Sequence, residues 1–370
     1  MNITDFPAPH IPERLPIQKI INELLKDQDF LKLCFEANSK LSEYIGYLQN
    51  LPNPSILVSA LTLRESVLSS RIEGTLATID DVVRDESSSE NIKNDIVEIQ
   101  NYVQAMKFGY ETLKECEFQI TKHMICTFHS ILLTNNVRGS GKTPGQFKTE
   151  QNYIRNDFIG NFTPIPPYLT DEYMENLVDY LNNYSEIIPL LQAAIMHVQF
   201  EMIHPFKDGN GRVGRLLIPL FLYAKHVIPF PCFYISRYFC ALDDNYKKCL
   251  ANISLTKKDP ISAWKEWMIF FLKGVYLESS FHINNSQKIM ALSSQMHNSV
   301  NRTDQFEIIN YLFDYLRIEP KEFLKNSKMP RSSVYNVLKL LTEKGFLTRV
   351  GSERKTKYIF SSLIKVLQED

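Results

Sequence analysis

The sequence predicts a mainly α-helical protein with a small β-containing unit at its C-terminal end. Apolar residues recur at every third or fourth position along most of residues 18–275, as amphipathic helices require. Residues 301–370 change to three short helical segments followed by an alternating stretch. The chain has 370 residues, of which 44% are apolar and 22% are charged. This is enough for two or three domains with a sizeable core, and global disorder is not expected.

The N-terminal region, residues 1–115, is predicted to be helical after an extended arm that holds four prolines. The second of its helices is expected to end at Gly74, because glycine often terminates a helix. The polar stretch 78–95 is expected to be a surface loop. The predicted helices of this region are 17–48, 56–74 and 94–113.

The central region, residues 116–280, is predicted to be a second helical block with one interruption. The interruption, residues 137–167, is rich in glycine, proline and asparagine, and its segments KTEQNYI and DFIGNFT are expected to pair as a short hairpin. Thr170 is expected to be the N-cap of the helix that follows. The predicted helices of this region are 120–135, 170–184, 189–204 and 214–227.

The C-terminal region, residues 300–370, has the pattern of a winged helix-turn-helix domain, with three helices and then a hairpin. Its residues 301–370 contain 13 Lys/Arg and 9 Asp/Glu. This surplus suits DNA phosphates, and it equally suits the solvated face of a protein–protein module, so both partners remain open. The basic side chains at the expected contact surface are Arg331, Lys339, Arg349, Arg354, Lys355 and Lys357.

The composition excludes several classes of protein. The formal net charge is −1, so the protein as a whole is not a polycation that coats nucleic acid or an anionic membrane. Its six cysteines have no CxxC spacing, which argues against a zinc ribbon and a disulfide framework. No signal-peptide pattern is present, and the apolar run LLIPLFLYA is too short to span a bilayer. We therefore expect a cytoplasmic protein with no membrane partner.

The stretch HPFKDGNGRVGR, which begins at His204, carries the strongest functional signal. Glycines on both sides of Asn210 let another group approach the backbone, and an apolar helical pattern resumes directly afterwards. The free N–H groups of such a helix N-terminus favour an anion, and Arg212 and Arg215 suit phosphate oxygens. Beside a polyphosphate, Asp208 would hold a magnesium ion. His204 lies where a general base would act on an incoming hydroxyl.

This stretch resembles the signature HPFxDGNGRxxR of the Fic family. The segment from GQFK to IPP resembles the flap hairpin of that family, although Lys148 stands where arginine is frequent and Asn161 where a second glycine is frequent. The resemblance implies a mainly helical Fic fold that transfers AMP from ATP to a hydroxyl side chain of a target protein, usually with magnesium. The matching positions are His204, Pro205, Phe206, Asp208, Gly209, Asn210, Gly211, Arg212 and Arg215.

The resemblance also implies a role for each residue of the site. His204 is the catalytic residue, which takes the proton from the target hydroxyl before the oxygen attacks the α-phosphorus. Asp208 holds Mg²⁺, Arg212 grips the β-phosphate and Arg215 the γ-phosphate of ATP. Two further residues, Asn245 and Tyr246, stand where the family often contacts adenine. The segment assigned to ATP comprises Gly209, Asn210, Gly211, Arg212, Val213, Gly214 and Arg215.

A second stretch, SSRIEGT, matches the inhibitory pattern [S/T]xxxE[G/N] of Fic proteins at Ser69, Glu73 and Gly74. A carboxylate at the C-terminus of a helix is poorly placed against the helix dipole, so Glu73 is expected to have a cationic partner. The resemblance makes that partner Arg215, which the γ-phosphate needs. ATP would then bind with its α-phosphorus misaligned for attack. Glu73 is therefore expected both to contact the ATP site and to inhibit the enzyme in cis.

Two functional hypotheses follow from the sequence. The first is an autoinhibited protein adenylyltransferase, whose target is another protein or the chain itself. Within the family, the transferred group can also be phosphate or another nucleotide, or the reaction can run in reverse, and the sequence leaves these alternatives open. The second is a transcription regulator, in which a winged helix reads DNA and the nucleotide-binding domain senses ATP without transferring it. The intact His204 favours the enzyme, because a sensor needs the phosphate cradle and not the base. The sequence leaves open whether the protein forms a homodimer.

Overall fold

The structure is a computed structural model that describes residues 6–51, 53–85, 89–135, 137–155, 160–254, 259–300, 305–351 and 356–369. It is mainly helical, as predicted. In its described residues, the N-terminal region contains five helices rather than the three predicted. They are α1 (Gln18–Leu24), α2 (Gln28–Gln49), α3 (Ser55–Ile72), α4 (Ile79–Arg84) and α5 (Glu90–Glu115).

Two predictions in this region are wrong for local reasons. The expected helix 17–48 is divided because Asp27 is the N-cap of α2 and accepts a hydrogen bond from the N–H of Phe30. The expected loop 78–95 contains α4, which begins with a capping box between Thr78 and Asp81. This helix has only six residues, which are too few for a helical period of apolar positions to be recognised. The predicted end of α3 is confirmed, because Gly74 follows it with φ of +95°.

The central region contains the helices that carry the motif. The helix after the interruption begins at Pro167 rather than after Thr170, so the predicted N-cap is wrong, and Thr170 is buried inside the helix. Pro167 takes the first helical position because its missing N–H is not needed there. The helices are α6 (Lys122–Leu132), α7 (Pro167–Asn183), α8 (Pro189–Ile203), α9 (Asn210–Ala224), α10 (Ser236–Ala241), α11 (Asp243–Ser254) and α12 (Pro260–His297).

Helices α8 and α9 form the centre of the fold. They pack on each other, α8 is covered by α7, α11 and α12, and α9 by α3, α5 and α6. Both are apolar on most faces, which is typical of helices buried in a core. The loop that joins them is residues 204–209, so the motif is held between two buried helices.

The expected hairpin of the flap is reduced to one antiparallel bridge in the described residues, between Ile154 and Phe162. Each of these residues donates its N–H to the carbonyl of the other at 2.9 Å. Residues 156–159 lie outside the described residues, and the first three residues of the DFIGNFT segment, 157–159, are among them.

The C-terminal region contains the three helices predicted for it, α13 (Phe306–Tyr315), α14 (Pro320–Asn326) and α15 (Arg331–Glu343). The expected hairpin is β2 (Thr348–Val350) and β3 (Lys357–Ile359). A short strand that was not predicted, β1 (Arg317–Ile318), adds to β3 and gives the order β1-β3-β2. A further helix, α16 (Ser361–Gln368), ends the described chain. Arg354 and Lys355 of the expected wing lie outside the described residues.

The C-terminal elements pack against the N-terminal region through one side. Helix α13 contacts α3, and α16 contacts α3, α4 and α12. Arg317 donates to the carbonyl of Val83 at 3.0 Å and Arg64 to that of Glu369 at 2.8 Å. Helix α12 runs from the central region to these elements, and the predicted domain boundary at residue 280 falls inside it. The division into three domains remains a prediction.

Candidate active site

The loop between α8 and α9 begins at His204, which ends α8 in the left-handed conformation with φ of +48°. This backbone geometry is uncommon for a residue with a Cβ and is found disproportionately at functional sites. The N–H of His204 still donates to the carbonyl of Phe200 at 2.9 Å. The side chain is 19% exposed, and its Nδ1 lies 4.0 Å from Oε2 of Glu201. The imidazole is therefore held at the edge of the core.

The ionisation of His204 suits a proton acceptor. Burial, reinforced by the nearby ammonium of Lys148, lowers the pKa of His204 to about 4. Lys148 is buried, and it donates from Nζ to the carbonyl of Ile203 at 2.9 Å and from its N–H to that of Pro205 at 2.8 Å. The imidazole is thus neutral at pH 7, with a free lone pair for a proton. Lys148 therefore anchors the flap beneath the loop.

Asn210 gives the loop its shape. Its Oδ1 accepts from the N–H of Phe206 at 2.9 Å, and its Nδ2 donates to the carbonyl of the same residue at 2.8 Å. Gly209 precedes α9 with φ of +74°, which glycine adopts without strain. As predicted, the N–H groups of the first turn of α9 come directly after this bend, where no earlier carbonyl is in register to accept them. The N–H groups of residues 210 and 211 are therefore suited to an anion, whereas the N–H of Gly209 donates to the Asp208 carboxylate.

Asp208 is the acid of the loop. Burial acts to raise its pKa, but hydrogen bonds from Lys142 and from the N–H of Gly209 outweigh it and hold the pKa of Asp208 below its usual range. The carboxylate is therefore ionised at neutral pH. Across the described residues, no group of three or more His, Cys, Asp or Glu side chains is gathered as a metal site. One ionised carboxylate still fits Mg²⁺, because this ion is commonly held by one or two carboxylates together with phosphate oxygens.

Arg215 is bound to the residues of the predicted inhibitory stretch. Its Nη2 donates to Oε1 of Glu73 at 2.7 Å and to the carbonyl of Ser69 at 2.9 Å, while its Nε donates to Oγ of Ser69 at 2.9 Å. Burial opposes ionisation of Glu73, but Arg215 outweighs it and holds the pKa of Glu73 below its usual range. A Cβ at Gly211 would clash with the Glu73 carboxylate. Glu73 therefore lies against the start of α9.

Arg212 is paired with a glutamate that the sequence analysis did not single out. Its Nη1 donates to Oε2 of Glu98, in α5, at 2.9 Å. The exposed fractions of the two side chains are 1% and 2%, so this ion pair is almost completely buried. Arg138 lies 3.6 Å from the same carboxylate oxygen. Nη2 of Arg212 lies beside Gly209, 3.7 Å from where a Cβ would be, so the guanidinium reaches the bend at Gly209.

A cleft of about 340 Å³ opens beside the loop. His204, Glu73, Gly211 and Arg215 line its polar side, and Ile154 and Phe162 of the flap line its rim. Of the two residues predicted to contact adenine, the structure brings Tyr246 to the cleft and leaves Asn245 exposed to solvent. The remaining apolar wall was not predicted and consists of Ile72, Val198, Met202, Leu250 and Ala251.

Tyr246 and His197 are fixed within this wall. The hydroxyl of Tyr246 is 2.8 Å from Nε2 of His197, and its ring stacks on Phe239 with centroids 4.4 Å apart. His197 is completely buried and also stacks on Trp267. These contacts give His197 a structural role in the core. Of the segment assigned to ATP, Val213 is buried in the core, and Gly214 is where α9 passes close to the side chain of Glu201.

The structure also brings His129 to the loop, a residue that sequence reasoning missed. Its Nδ1 accepts from the N–H of Gly145 at 2.8 Å, and its Nε2 is 3.0 Å from the carbonyl oxygen of Asp208. His129 and Glu98 are respectively 79 and 114 residues from their partners in the motif. No local pattern marks such distant contacts, and only an alignment of relatives would have drawn attention to them.

Comparison with known protein families agrees with this geometry. The model of the Fic/DOC family N-terminal region matches residues 31–111, and the model of the Fic/DOC family matches residues 119–222, so that together they match half of the chain. The chain belongs to the Fic/DOC family. The second match ends in α9 and contains the whole loop between His204 and Gly209.

Several curated proteins are similar to this Fic protein over part of its length. A probable protein adenylyltransferase of Aquifex aeolicus is 28% identical over 158 residues, which is 43% of this chain and 47% of that protein. The protein adenylyltransferase fic-1 of Caenorhabditis elegans is 40% identical over 80 residues, or 21% of this chain and 15% of that protein. The chain thus spans less than half the length of these relatives.

Solved structures confirm the Fic fold. A Fic domain-containing signalling protein of Bacteroides thetaiotaomicron matches with a TM-score of 0.56 and 20% identity, over 67% of this chain and 95% of that one. A Fic family protein of Desulfovibrio desulfuricans matches with a TM-score of 0.55 and 19% identity, over 96% of this chain and 98% of that one. Among the described residues, no helix is both long and apolar enough to cross a bilayer.

Proposed function

We propose that this Fic protein is a protein adenylyltransferase that transfers AMP from ATP to a Ser, Thr or Tyr hydroxyl and is inhibited in cis by Glu73. One observation carries the proposal. A neutral imidazole, a helix N-terminus and two arginines meet at one loop, and a glutamate is bound to the second arginine. The names of the curated relatives support the same class of activity.

In this proposal His204 is the general base. Its neutral imidazole accepts the proton of the target hydroxyl as the oxygen attacks the α-phosphorus of ATP. The bond between the α-phosphorus and the bridging oxygen breaks, and pyrophosphate leaves with the electron pair. The position of His204 at the cleft lets a hydroxyl and the α-phosphate meet beside it.

The loop and the first turn of α9 would hold the phosphates. The N–H groups of residues 210 and 211 and the guanidinium of Arg212 would face the charge that builds up during transfer, which is how fixed donors stabilise a transition state. Asp208 is the carboxylate that would hold magnesium, and the ion would offset phosphate charge. The apolar wall around Tyr246 is suited to the adenine ring. Asn210 is proposed to act through the shape it gives the loop, since both polar atoms of its side chain are bonded to Phe206.

Glu73 is proposed to inhibit the enzyme by occupying Arg215. While the ion pair persists, the γ-phosphate loses its arginine, and ATP binds with its α-phosphorus out of line with the target oxygen. Misalignment of about 1 Å can cost roughly 10²-fold in rate. Ser69 supports the inhibition because it accepts two further hydrogen bonds from the same guanidinium.

The target is proposed to bind along the flap. Ile154 and Phe162 use one edge of each segment for their bridge and lie at the rim of the cleft. An extended target segment would add as a strand beside them, through hydrogen bonds that backbone makes with backbone. This mode places little demand on the target sequence, so the chain itself is also a candidate target.

The experiment uses ATP labelled on either the α- or the γ-phosphate, with the Glu73→Gly variant as enzyme. We expect protein to be labelled from the α-position only, and we expect His204→Ala in the same background to bind nucleotide without transferring it. Label from the γ-position would make the protein a kinase. Binding of ATP with neither label transferred would leave a nucleotide sensor and overturn the proposal.

A second role, DNA binding, is proposed for the C-terminal region as a winged helix. The region packs on the body through α13 and α16, and the exposed side chains of α15, of the residue that follows it and of β2 include Arg331, Lys339, Lys344 and Arg349. A recognition helix lies in the major groove with such side chains on DNA phosphates.

Fluorescence anisotropy with a 20-base-pair duplex at low salt tests the second role. Replacing Arg331 and Lys339 by alanine is expected to weaken binding and to reduce its salt dependence, because each lost phosphate contact lowers the slope by about one. Lys321→Ala, on α14, is the matched control. If the duplex is not bound at all, the DNA-binding role is wrong.

A further inference from the structure

We propose that His129 is a positioning residue for the nucleotide loop, which aims the Asp208 carboxylate at the metal–phosphate site. The inference rests on the proposed function, because it gives Asp208 the role of metal ligand. His129 lies in α6, well apart from the motif in sequence, and its side chain is completely buried. It contacts the loop on two sides, through a hydrogen bond and through its ring face.

The hydrogen bonds of His129 define its tautomer. Nδ1 accepts from the N–H of Gly145, so that nitrogen carries no proton, and the neutral ring has its proton on Nε2. Nε2–H therefore donates to the carbonyl of Asp208 at 3.0 Å. Gly145 thus orients the ring, and the ring binds the backbone of the loop.

The ring of His129 also packs on the loop. It stacks on Phe206 with ring centroids 3.9 Å apart and an interplanar angle of 7°. A Cβ at Gly209 would lie 3.5 Å from Cδ2 of His129, so the histidine is in contact with the bend itself. One side chain, that of His129, therefore holds Phe206, Asp208 and Gly209 in place. The loop is also supported by Asn210, by the N–H of Lys148 on the carbonyl of Pro205, and by Asn152, which donates to the carbonyl of Phe206 at 2.7 Å.

These contacts fix the peptide that carries the Asp208 side chain. The carbonyl of Asp208 is held by His129, while its carboxylate accepts from the N–H of Gly209 at 2.7 Å and from Lys142 at 3.2 Å. If the carbonyl is released, the peptide can rotate and carry the Cα–Cβ bond of Asp208 with it. A metal ligand whose orientation is lost binds its ion more weakly, and supporting groups of this kind typically contribute to metal affinity.

The test compares His129→Gln with His129→Asn in the Glu73→Gly background. The amide nitrogen of glutamine reaches about as far as Nε2 and can still donate to Asp208, whereas the shorter amide of asparagine can bond only towards Gly145. His129→Phe keeps the stacked ring and removes both hydrogen bonds. Two quantities are measured for each variant: the Mg²⁺ concentration that gives half-maximal AMP transfer, and the Mg²⁺ dependence of ATP binding by calorimetry.

We expect the asparagine and phenylalanine variants to need about threefold to tenfold more Mg²⁺ in both measurements, as for the loss of one buried hydrogen bond. The glutamine variant should stay within about twofold of its parent. A Mg²⁺ requirement unchanged from the parent in all three variants would overturn the inference. An equally increased Mg²⁺ requirement in all three would also overturn it, because that result marks a purely structural residue. The Glu73→Gly parent distinguishes failure of this inference from failure of the proposed function. If the parent transfers no AMP, the proposed function is contradicted, and the Mg²⁺ dependence of ATP binding measured by calorimetry still tests the role of His129.

Discussion

Arg212 and Arg215 lie three residues apart on α9, and each is paired with a glutamate of the N-terminal region, yet the two pairs differ in depth. Glu98 is 2% exposed and belongs to the middle of α5, whereas Glu73 is 31% exposed and caps the end of α3. Burial acts to raise the pKa of both carboxyls: it prevails at Glu98, whose pKa is raised, whereas the guanidiniums near Glu73, Arg215 foremost, outweigh it and lower the pKa of Glu73. One pair therefore belongs to the core, and the other lines the cleft.

The difference indicates which pair can open. Glu73 is followed by Gly74, which has φ of +95° and, having no Cβ, can also adopt other backbone conformations. The carboxylate of Glu73 can therefore leave Arg215 for solvent. Glu98 has no comparable exit, because its helix continues on both sides and Arg138 also holds it. The two arginines of the motif are thus expected to have different roles. Arg212 is expected to be a fixed part of the phosphate site, whereas Arg215 is expected to become available to ATP when Glu73 leaves it.

The largest expected effect is on stability. Glu98→Ala leaves the guanidinium of Arg212 buried without its carboxylate, and breaking such a pair typically costs about 3–5 kcal/mol. Urea unfolding should show this loss. Glu73→Ala is the matched control and should cost clearly less, because water reaches its site and Ser69 still accepts from Arg215. Equal losses for the two alanine variants would mean that the pairs do not differ in depth.

The next effect is on activity. Glu73→Gly should raise the rate of AMP transfer by about 10²-fold, since Arg215 becomes available to orient the γ-phosphate. Glu98→Gln, which keeps a hydrogen-bond acceptor for Arg212, should produce no such rise. The initial rate of label incorporation from α-labelled ATP measures both. A comparable rise in Glu98→Gln would show that either glutamate can inhibit, contrary to the distinction drawn between them.

A smaller effect is expected at Ser69. Ser69→Ala removes the Oγ that accepts from Nε of Arg215 and leaves the backbone carbonyl in place. A hydrogen bond of this kind contributes about 1 kcal/mol, so the rate of AMP transfer should rise by roughly fivefold. Ser70→Ala, at the neighbouring position, serves as the control. A rate unchanged from wild type would show that Glu73 holds the arginine without help from Ser69.

The smallest effect is expected from pH. The pKa of His204 is lowered to about 4, so the base stays neutral as pH falls from 8 to 6, and Glu73→Gly should transfer AMP at nearly constant rate across this range. The depressed pKa of Glu73 keeps its carboxylate charged, so its pair with Arg215 should persist in wild type and be lost only as pH falls below about 4.5. A pH–rate profile with its acid limb near 6.5 would contradict the ionisation described for His204.

The motif and the inhibitory stretch could be predicted because their signals are local. A glycine with positive φ, a helix N-terminus and an acid at a helix end are all encoded within a few residues, as at Gly209 and Gly74. The pairing of Glu73 with Arg215 was expected from the family resemblance and lies in the structure at 2.7 Å. Spacing alone would not have chosen Arg215 over Arg212.

The rest depends on contacts between distant segments. Glu98, His129 and Lys148 have no local pattern that marks them, and the side chain each meets is decided by how α5, α6 and the flap pack around α9. Short polar elements such as α4 were missed for a different reason. Six residues contain too few apolar positions to show a helical period. The capping box at Thr78 was the only local signal of this helix.

The central claim, that Glu73 inhibits by occupying Arg215, is tested most directly by a double variant. The rate of AMP transfer from α-labelled ATP is measured for wild type, Glu73→Gly, and Glu73→Gly combined with Arg215→Ala. The account predicts a large rise in the single variant and a return to a low rate in the double variant, because the released arginine is then missing. A double variant as active as the single variant would contradict it.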